Sequence, residues 1–200
     1  MKSSNATGIT AIVILFVAAV AYRLALGLAP AHSDWLPNFA PLSAIALCGA
    51  LFFPRRLAFL LPLGALLVSD ALLDLRLGIA FFSVESLARY VALALVACIG
   101  FALRPRPTAG RILGGTVTGS ALFYTITNTG SWLLEPAYAK TFAGWVQALS
   151  VGLPGYAPTY LFFRNTLVSD LLFTALFVLC FARTANRKVS PVYAAHAPSS

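Results

Sequence analysis

Arg23, Asp70, Arg89, Thr127-Asn128, Arg164-Asn165 and Asp170 all lie among neighbours that are almost wholly apolar. An ionisable group at membrane depth is costly unless paired or hydrated, so each of these asks for a partner. Guanidinium, carboxamide and carboxylate groups brought together from separate helices would recognise a small organic molecule through directed hydrogen bonds. Catalysis is not expected. No GxxxxGK[ST] loop is present to cradle a nucleotide phosphate. The histidines are His32 and His196, one in a connecting stretch and one near the C-terminus, which leaves no Ser–His dyad or HExxH site inside an apolar segment. Asp70 and Asp74 have no metal-binding neighbour in sequence. Cys48, Cys98 and Cys180 each sit inside an apolar run with no CxxC spacing, and read as inert thiols. No cofactor or metal is called for.

Two of the acids occupy matching words. Leu67-Val68-Ser69-Asp70 recurs as Leu167-Val168-Ser169-Asp170, an echo of the kind left by inverted repeats in transporters. Two readings of the buried charges stand side by side. Asp70 and Asp170 can pair with Arg23 and Arg89 to fix helix register, with Glu85 and Arg89 as an i,i+4 pair. Alternatively, some of these groups line a ligand chamber. A proton relay through Asp70 or Asp170 is a third possibility. The aromatic residues Trp35, Trp132, Tyr138, Trp145, Tyr156 and Tyr160 gather in the connections on one side, which suits loops that stack over a flat organic ligand.

The elements that must carry these groups follow from composition. Sixty per cent of the residues are apolar and ten per cent charged, against roughly 25% charged in a soluble domain. A 200-residue chain has too little interior to hide that much apolar surface, so lipid must cover the rest. A crossing helix needs about 20 apolar residues. Six spans are expected, over 8–29, 38–53, 57–75, 84–103, 111–131 and 162–183, giving an all-α polytopic membrane protein with one transmembrane domain over 1–188. Lys2, Arg55, Arg56, Arg104, Arg106, Arg111, Arg183, Arg187 and Lys188 all fall on one side of this arrangement, with no acid among them. The positive-inside rule makes that side cytoplasmic, together with both termini. Clusters at helix ends also explain the net charge of +8 without nucleic acid.

Residues 141–163 carry no charge, yet Pro154, Gly155 and Pro158 interrupt them and a seventh crossing would break the charge pattern. Phe142, Trp145, Val146, Leu149 and Leu153 recur at helical spacing, which predicts an interfacial or re-entrant helix serving as a lid. Lys2, the apolar run and Ala19-Val20-Ala21 also resemble a cleavable signal, but the run continues to Ala29, long enough to span. Residues 189–200, rich in Ala, Pro and Ser, read as disordered. Small residues mark helix contacts: Ala21, Ala25 and Ala29 on the first span, Gly115 and Gly119 on the fifth.

The run Pro37-Asn38-Phe39-Ala40-Pro41-Leu42-Ser43-Ala44-Ile45-Ala46-Leu47, followed by Leu67-Val68-Ser69-Asp70, resembles the first half of an uncharacterised bacterial membrane family. Thr127-Asn128-Thr129-Gly130-Ser131-Trp132, Tyr138 with Lys140-Thr141-Phe142-Ala143-Gly144, and Phe162-Phe163-Arg164-Asn165-Thr166-Leu167-Val168-Ser169-Asp170-Leu171 resemble its second half. That family is similar to the substrate-capture (S) components of energy-coupling-factor vitamin transporters. The resemblance covers most of residues 23–182. It implies a six-helix bundle in the inner membrane with a pocket opening outward under the outer loops. Small residues of the first helix, here Ala21, Ala25 and Ala29, would dock on a transmembrane coupling subunit driven by two ATPases. The stretch 155–160 looks inserted relative to the family pattern.

The expected function is therefore capture of a small, vitamin-like molecule from outside, with Asn38, Asp70, Arg89, Asn128, Arg164, Asn165 and Asp170 lining the pocket and Trp132 and Tyr138 over it. The rivals are a proton-coupled secondary carrier and a ligand-free membrane scaffold.

Overall fold

The computed structural model describes Ile14, Val17, Ala18, Val20, Ala21, Tyr22, Leu24 and Ala25, together with residues 41–53, 55–77 and 84–194. Those first eight residues are all helical. Six helices follow: α1 (Leu42–Phe52), α2 (Arg55–Leu77), α3 (Val84–Leu103), α4 (Ala109–Leu134), α5 (Phe142–Ala148) and α6 (Thr159–Ala194). No strand occurs among the described residues, so the chain is all-helical as expected.

The centre of the bundle is α1. Every residue from Leu42 to Leu51 is buried. Its small side chains let α3 approach closely: at Gly100 of α3, the Leu47 carbonyl and the Ala50 methyl of α1 fill the space a Cβ would need. Gly115 and Gly119 of α4 likewise leave room for Leu103, Val96 and Leu47. Leu47, Leu66, Leu93 and Val96 form the fully buried middle of the core.

The outward faces are apolar too. Leu67, Val68, Leu72 and Leu75 are exposed on α2, and Leu87, Val91 and Leu95 on α3. Leu113 and Val117 are exposed on α4, and Val168, Leu172, Leu176 and Leu179 on α6. Runs of exposed aliphatic residues at helical spacing are too extensive for a water-facing surface and match a lipid-facing one. Two segments, Ser86–Leu103 and Thr159–Leu179, are long and apolar enough to cross a bilayer.

Two boundaries differ from expectation. Among the described residues of the second expected span, the helix is the 11-residue α1, about 16 Å long, roughly half a hydrocarbon core. Pro41 is its N-cap residue, because a proline without an N–H fits a helix start. The helix α6 runs on to Ala194, into the segment 189–200 expected to be disordered. Residues 141–163 form no continuous helix: α5 is a short piece followed by turns, and Gly152 and Gly155 take positive φ of 72° and 90° there. Only glycine adopts that backbone conformation without strain.

Candidate functional site

The expected site residues fall into three groups. In the first, Arg89 of α3 donates from Nη2 to Asp70 Oδ2 of α2 at 3.2 Å and to Ser86 Oγ at 2.8 Å. The Asp70 side chain is nearly enclosed, at 7% exposure, and that of Arg89 is partly open, at 29%. The Arg89 Nε is buried and donates to nothing among the described residues. A buried donor on a charged group left without an acceptor carries a desolvation cost of about 1–3 kcal/mol or more. Ala88, the neighbour of Arg89, packs against Gly130 near the end of α4.

The second group is a polar seam joining α1, α4 and α6. Asp170 is wholly buried. Its Oδ1 accepts the backbone N–H of Ala44 at 2.9 Å and its Oδ2 accepts from Ser120 Oγ at 2.7 Å. Ala44 lies in the first turn of α1, where N–H groups have no partner within the helix, and Pro41 supplies no side-chain cap. Asp170 fills that vacancy from another helix, and its charge faces the positive end of the α1 dipole. Ser43 stands beside the carboxylate, its Oγ buried and outside ideal hydrogen-bond geometry to any described residue. One turn along, Thr116 donates to Thr174 at 3.2 Å, with Cys48 nearby on α1. The Thr116 and Ser120 hydroxyls also lie within hydrogen-bond distance of carbonyls one turn back in α4, so each shares its single proton between that carbonyl and its partner across the seam.

The echoed words share an environment. In both, the Ser and Asp are buried and the Val faces outward. Asp70 meets a guanidinium and Asp170 meets a helix terminus, so the same word serves two different means of satisfying a buried carboxylate.

The third group is the end of α4 and α6 crossed by the segment 135–158. Trp145 Nε1 donates to Thr129 Oγ1 at 2.9 Å and Tyr124 donates to the Leu149 carbonyl at 2.8 Å. The Tyr160 N–H closes on the Ser150 carbonyl at 2.9 Å, which ties the segment to the start of α6. Thr141 caps α5 by accepting the Gly144 N–H at 3.2 Å. Trp132 spends its indole N–H on Ala139 at 2.9 Å, and Lys140 reaches the carbonyls of Trp132 and Glu135. Tyr138 is buried; that burial, and secondarily the Glu135 carboxylate, push its phenol above the ordinary value. Asn128 is half-buried and donates to the Tyr124 carbonyl one turn back in α4 at 2.9 Å.

Near the start of α6, Arg164 is exposed while Asn165 is buried. Asn165 Oδ1 accepts from Arg164 Nε at 3.2 Å and from Nη2 at 3.1 Å. Arg164 thus faces away from the bundle, whereas Asn128 is half-buried and turned back on its own helix. Ala21 and Ala25 are exposed on the leading helical residues. Asn38, Ala29 and Arg23 lie outside the described residues, as do Trp35 and His32.

Residues 3–193 match the model of a family of unknown function, DUF6580. The chain belongs to that family. No curated protein and no solved structure matches it. The features described above are therefore read within DUF6580 on their own chemistry.

Sequence reasoning passed over Ser43, Thr116, Ser120 and Thr174. The small polar residues Thr116-Ser120 and Asp170-Thr174, each four apart inside an apolar helix, were a readable sign of a polar seam. Arg104 was read only as a topology signal. It also donates from Nε to the Ala50 carbonyl at 2.5 Å and from Nη2 to the Phe53 carbonyl, closing the C-terminal end of α1.

Proposed function

We propose that this protein is a polytopic inner-membrane protein with six transmembrane helices and cytoplasmic termini, which captures a small organic, vitamin-like molecule from the extracytoplasmic side. The outward aliphatic faces on α2, α3, α4 and α6 support embedding of more helices than the two most apolar ones. The positive-inside pattern supports placing the Trp132–Tyr160 end outside.

The observation that carries ligand capture is the buried Nε–H of Arg89, unspent among the described residues. Its neighbour Ala88 packs against Gly130 of α4, whose end is crossed by a pinned segment. A carbonyl, carboxylate or ether oxygen of a ligand would satisfy that donor. Asn128 would supply a second polar contact, and Trp132 and Tyr138 an aromatic cover. The exposed Ala21 and Ala25, with Ala29, are the surface for a transmembrane coupling subunit driven by ATPases.

The test is mass spectrometry of small molecules released from protein purified in detergent. A single compound should be retained by the natural protein and lost from Arg89→Lys, which keeps a cation for Asp70 but has no Nε–H. Asn128→Ala should weaken retention with the fold intact. Absence of any retained compound, with no thermal shift across a metabolite panel, would refute capture.

A ligand-free scaffold is favoured by one specific observation: the two buried acids Asp70 and Asp170 are satisfied within the protein, Asp70 by Arg89 and Asp170 by Ala44 and Ser120. That reading predicts stable copurification with another membrane protein and identical behaviour of the two variants above.

A further inference from the structure

The exposed stripe of α6 reads Tyr160, Arg164, Val168, Leu172, Leu176 and Leu179. Successive members lie three or four residues apart, so they form one continuous face. It is apolar along its length except at the lid end, where Arg164 interrupts it one turn from the exposed Tyr160.

The guanidinium is held rather than free. Asn165, itself buried, accepts from both Nε and Nη2 through one oxygen, which fixes the plane of the group. The Nη1 hydrogens and the second Nη2 hydrogen remain on the outer edge. A paired donor edge of this kind matches two oxygens of a phosphate. No carboxylate pairs with Arg164 among the described residues. Glu135 receives the Ala137 N–H, and Asp70 and Asp170 are engaged elsewhere.

We infer that Arg164 and Tyr160 form a binding site for the phosphate of an anionic glycerophospholipid in the extracytoplasmic leaflet, with Val168 and Leu172 as the bed for its acyl chain. The inference rests on the membrane part of the function proposed above and removes Arg164 from the ligand-lining set. From the lid end inward the face presents an aromatic residue, the charged donor edge one turn on and then the aliphatic stripe, which suits the interface, phosphate and acyl chain of one lipid. A soluble anion would find the first of these and gain nothing from the rest.

The experiment uses the full chain reconstituted in vesicles of phosphatidylglycerol and phosphatidylcholine, extracted in mild detergent and examined by native mass spectrometry. Phosphatidylglycerol should remain bound to the natural protein. Retention should fall about tenfold in Arg164→Gln, with an intermediate loss in Arg164→Lys, which keeps charge without the planar edge. Inorganic phosphate should not displace the lipid. Equal retention by natural protein and Arg164→Gln would overturn the inference, as would displacement by inorganic phosphate, which would mark a soluble-anion site. Should Arg164→Gln fail to fold, the same comparison is made between natural protein and Arg164→Lys, with equal retention again overturning the site. Protein that leaves membranes without detergent would instead refute the membrane reading on which the site depends.

Discussion

Asp170 closes the N-terminus of α1 by accepting the N–H of Ala44, 126 positions away in sequence, at 2.9 Å. Arg104 closes the opposite end by donating to the carbonyls of Ala50 and Phe53. A wholly buried helix cannot leave its terminal N–H and C=O groups to water, and here an anion and a cation meet the two ends in the sense the helix dipole favours. The short α1 is thus held at both ends by side chains of other helices.

The form of substitution at Asp170 should decide how much stability is lost. Asp170→Asn keeps an oxygen for Ala44, and the Ser120 hydroxyl can rotate to accept from the amide, so a loss of about 1 kcal/mol is expected. Asp170→Leu strands both donors in the core and should cost about 3 kcal/mol or more. Thermal unfolding in micelles measures both. Near-equal effects would show that the cap has no particular value.

Asp70 and Arg89 should behave as a coupled pair. Removing the cation alone, as Arg89→Gln, leaves a nearly enclosed carboxylate facing a neutral amide and should destabilise by about 3 kcal/mol. Adding Asp70→Asn should recover part of that loss, since the carboxylate that lost its guanidinium disappears with it. A double-mutant cycle on unfolding midpoints gives the coupling, and additive losses would contradict a direct pair.

Much of this arrangement was legible in the sequence, and the reason it stopped short is geometric. Apolar runs placed α2, α3, α4 and most of α6 because their outward faces remain apolar whatever they pack against. The stripe Phe142, Trp145, Val146 and Leu149 foretold α5, and the repeated Leu-Val-Ser-Asp word foretold two buried acids. The partners of those acids were not legible. Ala44 offers only a backbone N–H, which no residue type announces, and its availability depends on α1 starting at Leu42 within the bundle. The direction of Arg164 was available from spacing, since Tyr160, Val168 and Leu172 lie one turn either side of it or two turns on. Its polarity drew attention to a pocket when its register pointed outward.

Close helix contact makes two glycines opposite in effect. Gly100→Ala drives a methyl into the Leu47 carbonyl and the Ala50 side chain, and backbone cannot retreat without separating α1 from α3. The expected loss is about 2–3 kcal/mol. Gly114→Ala meets nothing within 4 Å and should be neutral or gain up to about 1 kcal/mol from helix propensity. Unfolding midpoints of the two variants test this, and a tolerated Gly100→Ala would show that the helices have slack.

The segment over the α4–α6 end should open when its anchors are cut. Trp145→Phe keeps the ring and removes the N–H that reaches Thr129, and Thr129→Val removes the acceptor while keeping the shape. A hydrogen bond of this kind contributes about 1 kcal/mol, so either change should raise the open population about fivefold. The two together should do little more than one, because they cut the same bond. Hydrogen exchange of amides within 142–150, or proteolysis between 150 and 158, reads the opening while the core helices stay protected. A ligand held beneath the segment would escape faster from both variants at unchanged unfolding temperature. Faster opening without faster escape would place the bound molecule elsewhere in the bundle, away from Asn128 and Arg89.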